Sequence, residues 1–279
     1  MLFVPGDRPE RFAKAAASGA DAIILDLEDS VVPTRKAAAR AAVRACLDEA
    51  ANIVRMVRIN PIDSGHLAED MAVARGADAI MLPKAEGRAS IERLLDAWGS
   101  GCPPILPIAT ETPSAIFALG EYRQVAGHLC GLTWGAEDLP ATIGAAASRE
   151  PDGRYTAPYE TARSLTLFAA HAAGVAAIET VYPAIQDADG LAAYAARGAR
   201  DGFTGMMAIH PAQVAAINAA FTPDAETVAR AEAVVAAFEA SPAAGAIQLD
   251  GRMIDAPHLR QAQAILDRAR LPGNKAVEQ

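Results

Sequence analysis

Eight short apolar runs, each closed by turn residues, recur along this chain of 279 residues, with amphipathic stretches between them. They are LFVPG (2–6), AIILDLED (22–29), NIVRMVRIN (52–60), AIMLPKAE (79–86), ILPIATET (105–112), HLCGLTWGAEDL (128–139), AAIETVY (176–182) and GMMAIHP (205–211). Segments such as RKAAARAAVRACLDEA and RASIERLLDAWGS fill the intervals with helical periodicity. Continuous apolar strands alternating with helices demand a parallel sheet covered on both faces. Eight such units close into an α/β fold, the (β/α)8 TIM barrel, whose usual size is about 250 residues.

The barrel takes residues 1–221. Residues 222–279 exceed what closure needs and read as a C-terminal helical extension. After a short helix at 211–219, the tail is expected to hold a helix at 223–240, a linker SPAAGAIQLDGRMID, a last helix from Pro257 to about Arg270, and frayed terminal residues LPGNKAVEQ. Residues 140–160, polar and rich in Gly and Pro, read as a long loop over the catalytic face.

Composition narrows the function classes. Net charge is −9 and no Lys/Arg-rich run occurs, which excludes a general nucleic-acid surface. Cys46, Cys102 and Cys130 are odd in number and lack metal-site spacing, so they read as buried or semi-buried thiols in a reducing compartment. MLFVPGDRPERF turns charged within a few residues, and no apolar run reaches the ~18 residues needed to span a bilayer. A soluble cytoplasmic protein without membrane contact is expected. The absence of GxGxxG, Walker A, GxSxG and CxxC motifs argues against nucleotide hydrolysis, serine-hydrolase and thiol-redox chemistry.

Barrel active sites lie at the strand C-termini. ILPIATET and LTWGAEDL both end in a carboxylate there, Glu111 and Asp138, and two successive strand-end acids can hold a divalent cation; the alternative is that each caps the next helix. In Asp26-Leu27-Glu28-Asp29, strand alternation sets Asp26 and Glu28 on one face, putting Glu28 near that metal, while Asp29 fits a solvated loop acid. Arg58 falls near the end of the third strand as a bidentate clamp for a carboxylate, or as a salt bridge to Asp26 or Glu28. Lys84 is expected to stay protonated beside these acids and act electrostatically. His210, after the eighth strand, orients that strand end or, less well supported, binds metal.

LFVPGDRPERFAKAAASGADAIILDLEDSV, VRIN, IMLPKAE, ATET, WGAEDL, GF-x-G-x3-IHP-x-Q and the late G-x-MID-x-P together resemble the HpcH/HpaI aldolase/citrate lyase β-subunit superfamily, within it the CitE-like acyl-CoA lyases. The resemblance spans nearly the whole chain. It implies a Mg²⁺-dependent carbon–carbon lyase, with Mn²⁺ as a substitute, cleaving a β-hydroxyacyl-CoA thioester of malyl, citramalyl or citryl type into an oxoacid and acetyl-CoA. It implies Glu111 and Asp138 as metal ligands, Glu111 beside the substrate, Arg58 on the oxoacid carboxylate, and Glu28 supporting metal-bound water or substrate. The PGDR turn, with Phe3 and Arg8, is implied to lie by the thioester and CoA phosphates. Asp255 is implied as the acid/base that enters a neighbouring subunit's site, in a homotrimer or homohexamer. Two positions depart from the pattern: Met206 stands where Lys is common, with a bearing on nucleotide contacts, and GAED replaces GADD with Asp138 kept. Two other functions share these features, a metal-dependent pyruvate aldolase acting on free hydroxy-oxoacids and a non-catalytic acyl-CoA-binding barrel. The aldolase would have no use for the PGDR turn or the MID tail.

Overall fold

The computed structural model describes residues 1–242 and 244–270. The LPGNKAVEQ segment lies outside the described residues. The chain divides into two compact units, Met1–Ile217 and Asn218–Gln279.

In the first unit the strands are β1 (Leu2–Pro5), β2 (Ala22–Asp26), β3 (Val54–Arg58), β4 (Ala79–Leu82), β5 (Ile105–Pro107), β6 (Leu132–Thr133), β7 (Ala177–Glu179) and β8 (Gly205–Met206). Each falls inside one of the apolar runs of the sequence. The strands β1–β5 form one parallel sheet and β6–β8 another. Two seams join them. Phe3 N donates to Ala208 O at 2.9 Å and Ala208 N to Met1 O at 2.8 Å; Ala109 N donates to Thr133 O at 2.8 Å and Cys130 N to Ile105 O at 3.0 Å. The two sheets are therefore one closed barrel.

Alternate residues fill the interior: Ala22, Ile24, Met56, Ala79, Met81, Leu106, Ile108, Ile178 and Met207 form one buried cluster. The opposite set, including Ile23, Leu25, Val57 and Ile80, is equally buried on the outward, helix-covered side. Burial on both faces is why the runs read as continuously apolar.

Helices α1 (Phe12–Ala16), α2 (Lys36–Asp48), α3 (Leu67–Ala74), α4 (Gly87–Trp98), α5 (Pro113–Ala118), α6 (Leu139–Ile143), α7 (Ala157–Ala173) and α8 (Ala188–Asp201) follow the strands. In α2, Ala39, Val43 and Leu47 recur every fourth position and are the buried stripe. Residues 140–160 are more ordered than a loop: α6 opens the segment, and Arg149 bridges Tyr155 antiparallel before α7 begins. Met206 is 1 % exposed in β8, a packed strand residue. Cys46 and Cys102 are half-buried, as expected, and Cys130 is exposed, against the expectation of a buried or semi-buried thiol.

Helix α9 (Val214–Phe221) crosses the unit boundary; the second unit continues with α10 (Ala225–Glu239), β9 (Ala246–Leu249), β10 (Arg252–Asp255) and α11 (Ala256–Ala269). Residues 246–255 of the segment read as a linker form an antiparallel hairpin, with Ala246 opposite Asp255 and Leu249 opposite Arg252. Its turn residues Asp250 and Gly251 both have positive φ, +50° and +76°. Asp-Gly is the pair that a two-residue hairpin turn of this hand favours.

Candidate active site

Strand β2 ends at Asp26, whose carboxylate accepts from Glu28 N at 2.8 Å and Ser30 N at 3.1 Å. This local turn wraps the acidic segment around its own first acid. Asp26 and Arg58 are register partners across β2 and β3. Their side chains meet as a two-point fork, Nε to Oδ1 at 2.7 Å and Nη2 to Oδ2 at 2.6 Å. Burial pushes the Asp26 carboxyl up, but the hydrogen bonds and charge of Arg58 outweigh it and hold it below its ordinary value. The Arg58 guanidinium also lies 5.0 Å from the centre of the Phe3 ring.

Lys84 follows β4 with φ +51°, in the left-handed region. That kink points two donors at acids. Its backbone N–H reaches Glu111 Oε2 at 2.5 Å, and its Nζ lies 2.9 Å from Glu28 Oε1 and 3.4 Å from Asp138 Oδ1. Burial alone would lower the ammonium, yet Glu28, Glu111 and Asp138 raise it above its usual range, so it stays charged.

Glu111, just beyond β5, is 3 % exposed. Burial, with the nearby charges of Asp138 and Glu28, pushes its carboxyl up to about 8 despite the Lys84 hydrogen bond. Glu28 is likewise raised, chiefly by burial. Its Oε2 lies 2.8 Å from Arg58 Nη1, close enough for an ion pair, but the angle leaves that buried oxygen without a hydrogen-bond donor. Asp138 sits at the start of α6, about one-third exposed. Gly135 makes the close packing possible: a Cβ there would stand 2.8 Å from Glu111 Cγ and 3.1 Å from Ile108 Cγ2.

Phe3, Arg58, Glu111 and Asp138 line one cavity of about 300 Å³, and Glu28 stands directly behind Arg58 and Lys84. Arg8 is not among its lining residues; its side chain is 53 % exposed, 3.8 Å from Asp7. Asp255 belongs to the second unit, where it caps α11 and its Oδ1 lies 2.6 Å from His258 Nδ1. His210 accepts from Ala212 N at 3.2 Å and caps the turn after β8.

The donor set fits a hard divalent cation. Two buried or half-buried carboxylates face one space, one of them forced toward neutrality, and a third acid has an oxygen with no donor. Among the described residues no group of three or more His, Cys, Asp or Glu converges. A cation here would take two protein ligands and complete its oxygen shell with water and substrate, as Mg²⁺ commonly does.

The HpcH/HpaI aldolase/citrate lyase profile matches residues 1–211, and a profile for carbon–carbon bond lyases of the TIM-barrel fold matches 162–273. The citrate lyase subunit beta-like protein of Mycobacterium tuberculosis is 39 % identical over 271 residues, covering 96 % of this chain and 94 % of that one. The chain belongs to the HpcH/HpaI aldolase/citrate lyase family. Its class, a carbon–carbon lyase, follows. An L-malyl-CoA/beta-methylmalyl-CoA lyase of Cereibacter sphaeroides is 30 % identical, covering 97 % of this chain and 94 % of its own. CitE of M. tuberculosis, solved in complex with magnesium, acetoacetate and coenzyme A, superposes with a TM-score of 0.82 at 37 % identity over 96 % of each chain.

Asp26 and the hydrogen-bond network around Glu179 were not recognised as site residues from sequence. Glu179, at the end of β7, is fully buried and accepts from Trp134 Nε1 at 2.6 Å, Arg163 Nε at 2.7 Å, Tyr194 OH at 2.9 Å and Thr180 N at 3.0 Å. The available signal was an acid ending an apolar strand, AIET, the same signal that marks Glu111 and Asp138.

Proposed function

We propose that this lyase cleaves a β-hydroxyacyl-CoA thioester into a 2-oxo acid and acetyl-CoA, with Mg²⁺ held by Glu111 and Asp138. The observation that carries the reading is the pair of strand-end carboxylates sharing one cavity with an arginine fork. The magnesium and coenzyme A of the M. tuberculosis structure and the malyl-CoA substrate of the C. sphaeroides relative support it.

When bound, Mg²⁺ supplies Lewis acidity to the substrate oxygen that becomes the carbonyl. The protein does the rest. Arg58 has five N–H donors and spends two on Asp26, leaving others to bind the oxoacid carboxylate beside Phe3. Glu28, buried behind Arg58 and Lys84 with a donor-free Oε2 and a carboxyl raised by burial, is the base that accepts the hydroxyl proton through an intervening water. As that proton leaves, the carbon–carbon bond breaks, giving the ketone of the oxoacid and the enolate of the thioester. The enolate carbon then takes a proton from Asp255 of an adjacent subunit in a homotrimer or homohexamer. The hairpin that presents Asp255 supports this assignment, since Met253 next to it is 71 % exposed and available to a partner. Arg8, exposed at the end of the PGDR turn, is assigned to the CoA phosphates. The three free cysteines suit a reducing, cytoplasmic setting, and no helix among the described residues is long and apolar enough to cross a membrane.

The deciding assay is a panel of malyl-, citramalyl- and citryl-CoA, with Mg²⁺ and with chelator, reading free oxoacid and free thiol separately. Oxoacid released only with metal, with the thioester bond intact, is the expected result. Thiol released without oxoacid would mean hydrolysis of the thioester instead, and the lyase reading would fall.

A further inference from the structure

We infer that the oxoacid half of the substrate bears a single carboxylate and a small alkyl group on its carbonyl carbon, as in a methyl-substituted 2-oxo acid, and not a second carboxylate. The inference rests on the lyase reading above and narrows it to a substrate class. In a β-hydroxyacyl thioester of this kind the carbinol carbon carries its hydroxyl, a carboxylate, the thioester arm and one further substituent. The arm must leave through the cavity mouth, because a space of about 300 Å³ does not hold coenzyme A. The carboxylate goes to the charged side, at Arg58. The remaining substituent meets what is left of the wall.

That wall is apolar. Ile108 and Met207 are the upper layer of the barrel's own core, and Val181 packs against it. Trp134 is fully buried beside them, and its one N–H is spent on Glu179 at 2.6 Å, so it offers the cavity no donor. Thr180 contributes a neutral hydroxyl at most, which cannot balance a carboxylate. Of the charged residues lining the cavity, Arg58 is the cation and the others are acids. Lys84, just outside, is held by Glu28 and Asp138. A second carboxylate would therefore be buried against hydrocarbon, unpaired and near acids, whereas a methyl group gains from the same surroundings.

The test is calorimetric titration of the Mg²⁺-loaded protein with pyruvate, glyoxylate and freshly dissolved oxaloacetate, the last checked for intact acid afterwards. Pyruvate should bind about fourfold tighter than glyoxylate, the worth of one buried methyl. It should bind at least about tenfold tighter than oxaloacetate, whose extra charge finds no partner. Val181→Arg, at the partly buried edge of the wall, should shift the preference toward oxaloacetate by about tenfold or more, as a supplied charge partner would. Oxaloacetate binding as well as pyruvate, or an unchanged preference in a folded Val181→Arg protein, would overturn the inference and leave the lyase reading standing. No binding of any of the three acids would overturn both.

Discussion

Replacing Glu111 by Gln is expected to stabilise the metal-free protein while removing its response to Mg²⁺. The carboxyl titrates at about 8 in the fold against an ordinary 4.5. Below about pH 4.5 it is protonated whether the chain is folded or not, and nothing is lost. Between 4.5 and about 8 the unfolded chain releases the proton and the folded barrel retains it, so stability falls as pH rises. The loss levels off above about 8. A carboxyl displaced this far forfeits on the order of 3–4 kcal/mol between about pH 5 and 8, an upper figure because Lys84 relaxes with it. For a chain of this size that is roughly 5–10 °C in melting temperature. Thermal melts of wild type and Glu111→Gln, in chelator, at several pH values, make the comparison. The two should converge near pH 5 and separate by several degrees near pH 8, with the variant the more stable. Saturating Mg²⁺ should stabilise the wild type, by about 2.7 kcal/mol at a hundredfold excess over Kd, and so raise its midpoint while leaving the variant's where it was. If Glu111→Gln melts below wild type at pH 8 in chelator, Glu111 is stabilised in the metal-free fold by partners the geometry does not contain.

Three further outcomes are expected. Arg58→Ala should lose tens- to several-hundredfold in kcat/KM, on the order of 2–4 kcal/mol for a charge-assisted fork, and Arg58→Lys should recover little because an ammonium lacks the fork; near-normal kinetics in Arg58→Ala would move the clamp elsewhere. Gly135→Ala should weaken Mg²⁺ binding by about tenfold or more in calorimetry with circular dichroism unchanged, since its Cβ would stand 2.8 Å from Glu111 Cγ and must displace that ligand. Asp255→Asn should bind Mg²⁺ normally yet lose most turnover, and mixing it with inactive Glu111→Ala subunits should restore part of it; no recovery in verified mixed oligomers would refute a shared site.

The barrel was legible because its signal is repeated: its eight strands lie within apolar runs bounded by turns, and several, such as β2, β4 and β5, are buried on both faces throughout. The hairpin around Asp250-Gly251 was less visible, because its strands pair only with each other and show a weak half-buried pattern, exposed and intermediate by turns along β9. Its Asp-Gly pair was the readable clue. Within the site, the strand-end rule identified Glu111 and Asp138 but does not by itself separate them from Glu179. All three end apolar runs, though only Glu179 ends a strand, Glu111 and Asp138 lying in the turns beyond β5 and β6; Glu179 turns to Trp134, Arg163 and Tyr194. Arg58 was open between clamp and salt bridge, and the structure has it paired with Asp26 while still lining the cavity.

Charge balance decides what such a site can hold. Asp26 is matched by Arg58 and Glu28 by Lys84, each at hydrogen-bond distance. Asp138 only shares Lys84 with Glu28, at 3.4 Å, and Glu111 meets Lys84 through its backbone N–H, so with all four acids ionised their charge exceeds that of Arg58 and Lys84 by two. Burial makes that surplus costly, and the raised Glu111 carboxyl is its symptom. A single divalent cation cancels it. A monovalent one leaves half behind, and a third protein carboxylate would overfill the site and repel an anionic substrate. With two ligands the bound cation stays open to substrate oxygens, while the unspent N–H groups of Arg58 remain for the substrate's own carboxylate. The Asp26–Arg58 pair thus fixes the fork's position without using it up. That is why removing Asp26 should do more harm than removing an ordinary surface ion pair: Arg58 would keep its charge, lose its anchor, and turn further onto Glu28, whose Oε2 already lies 2.8 Å from its Nη1.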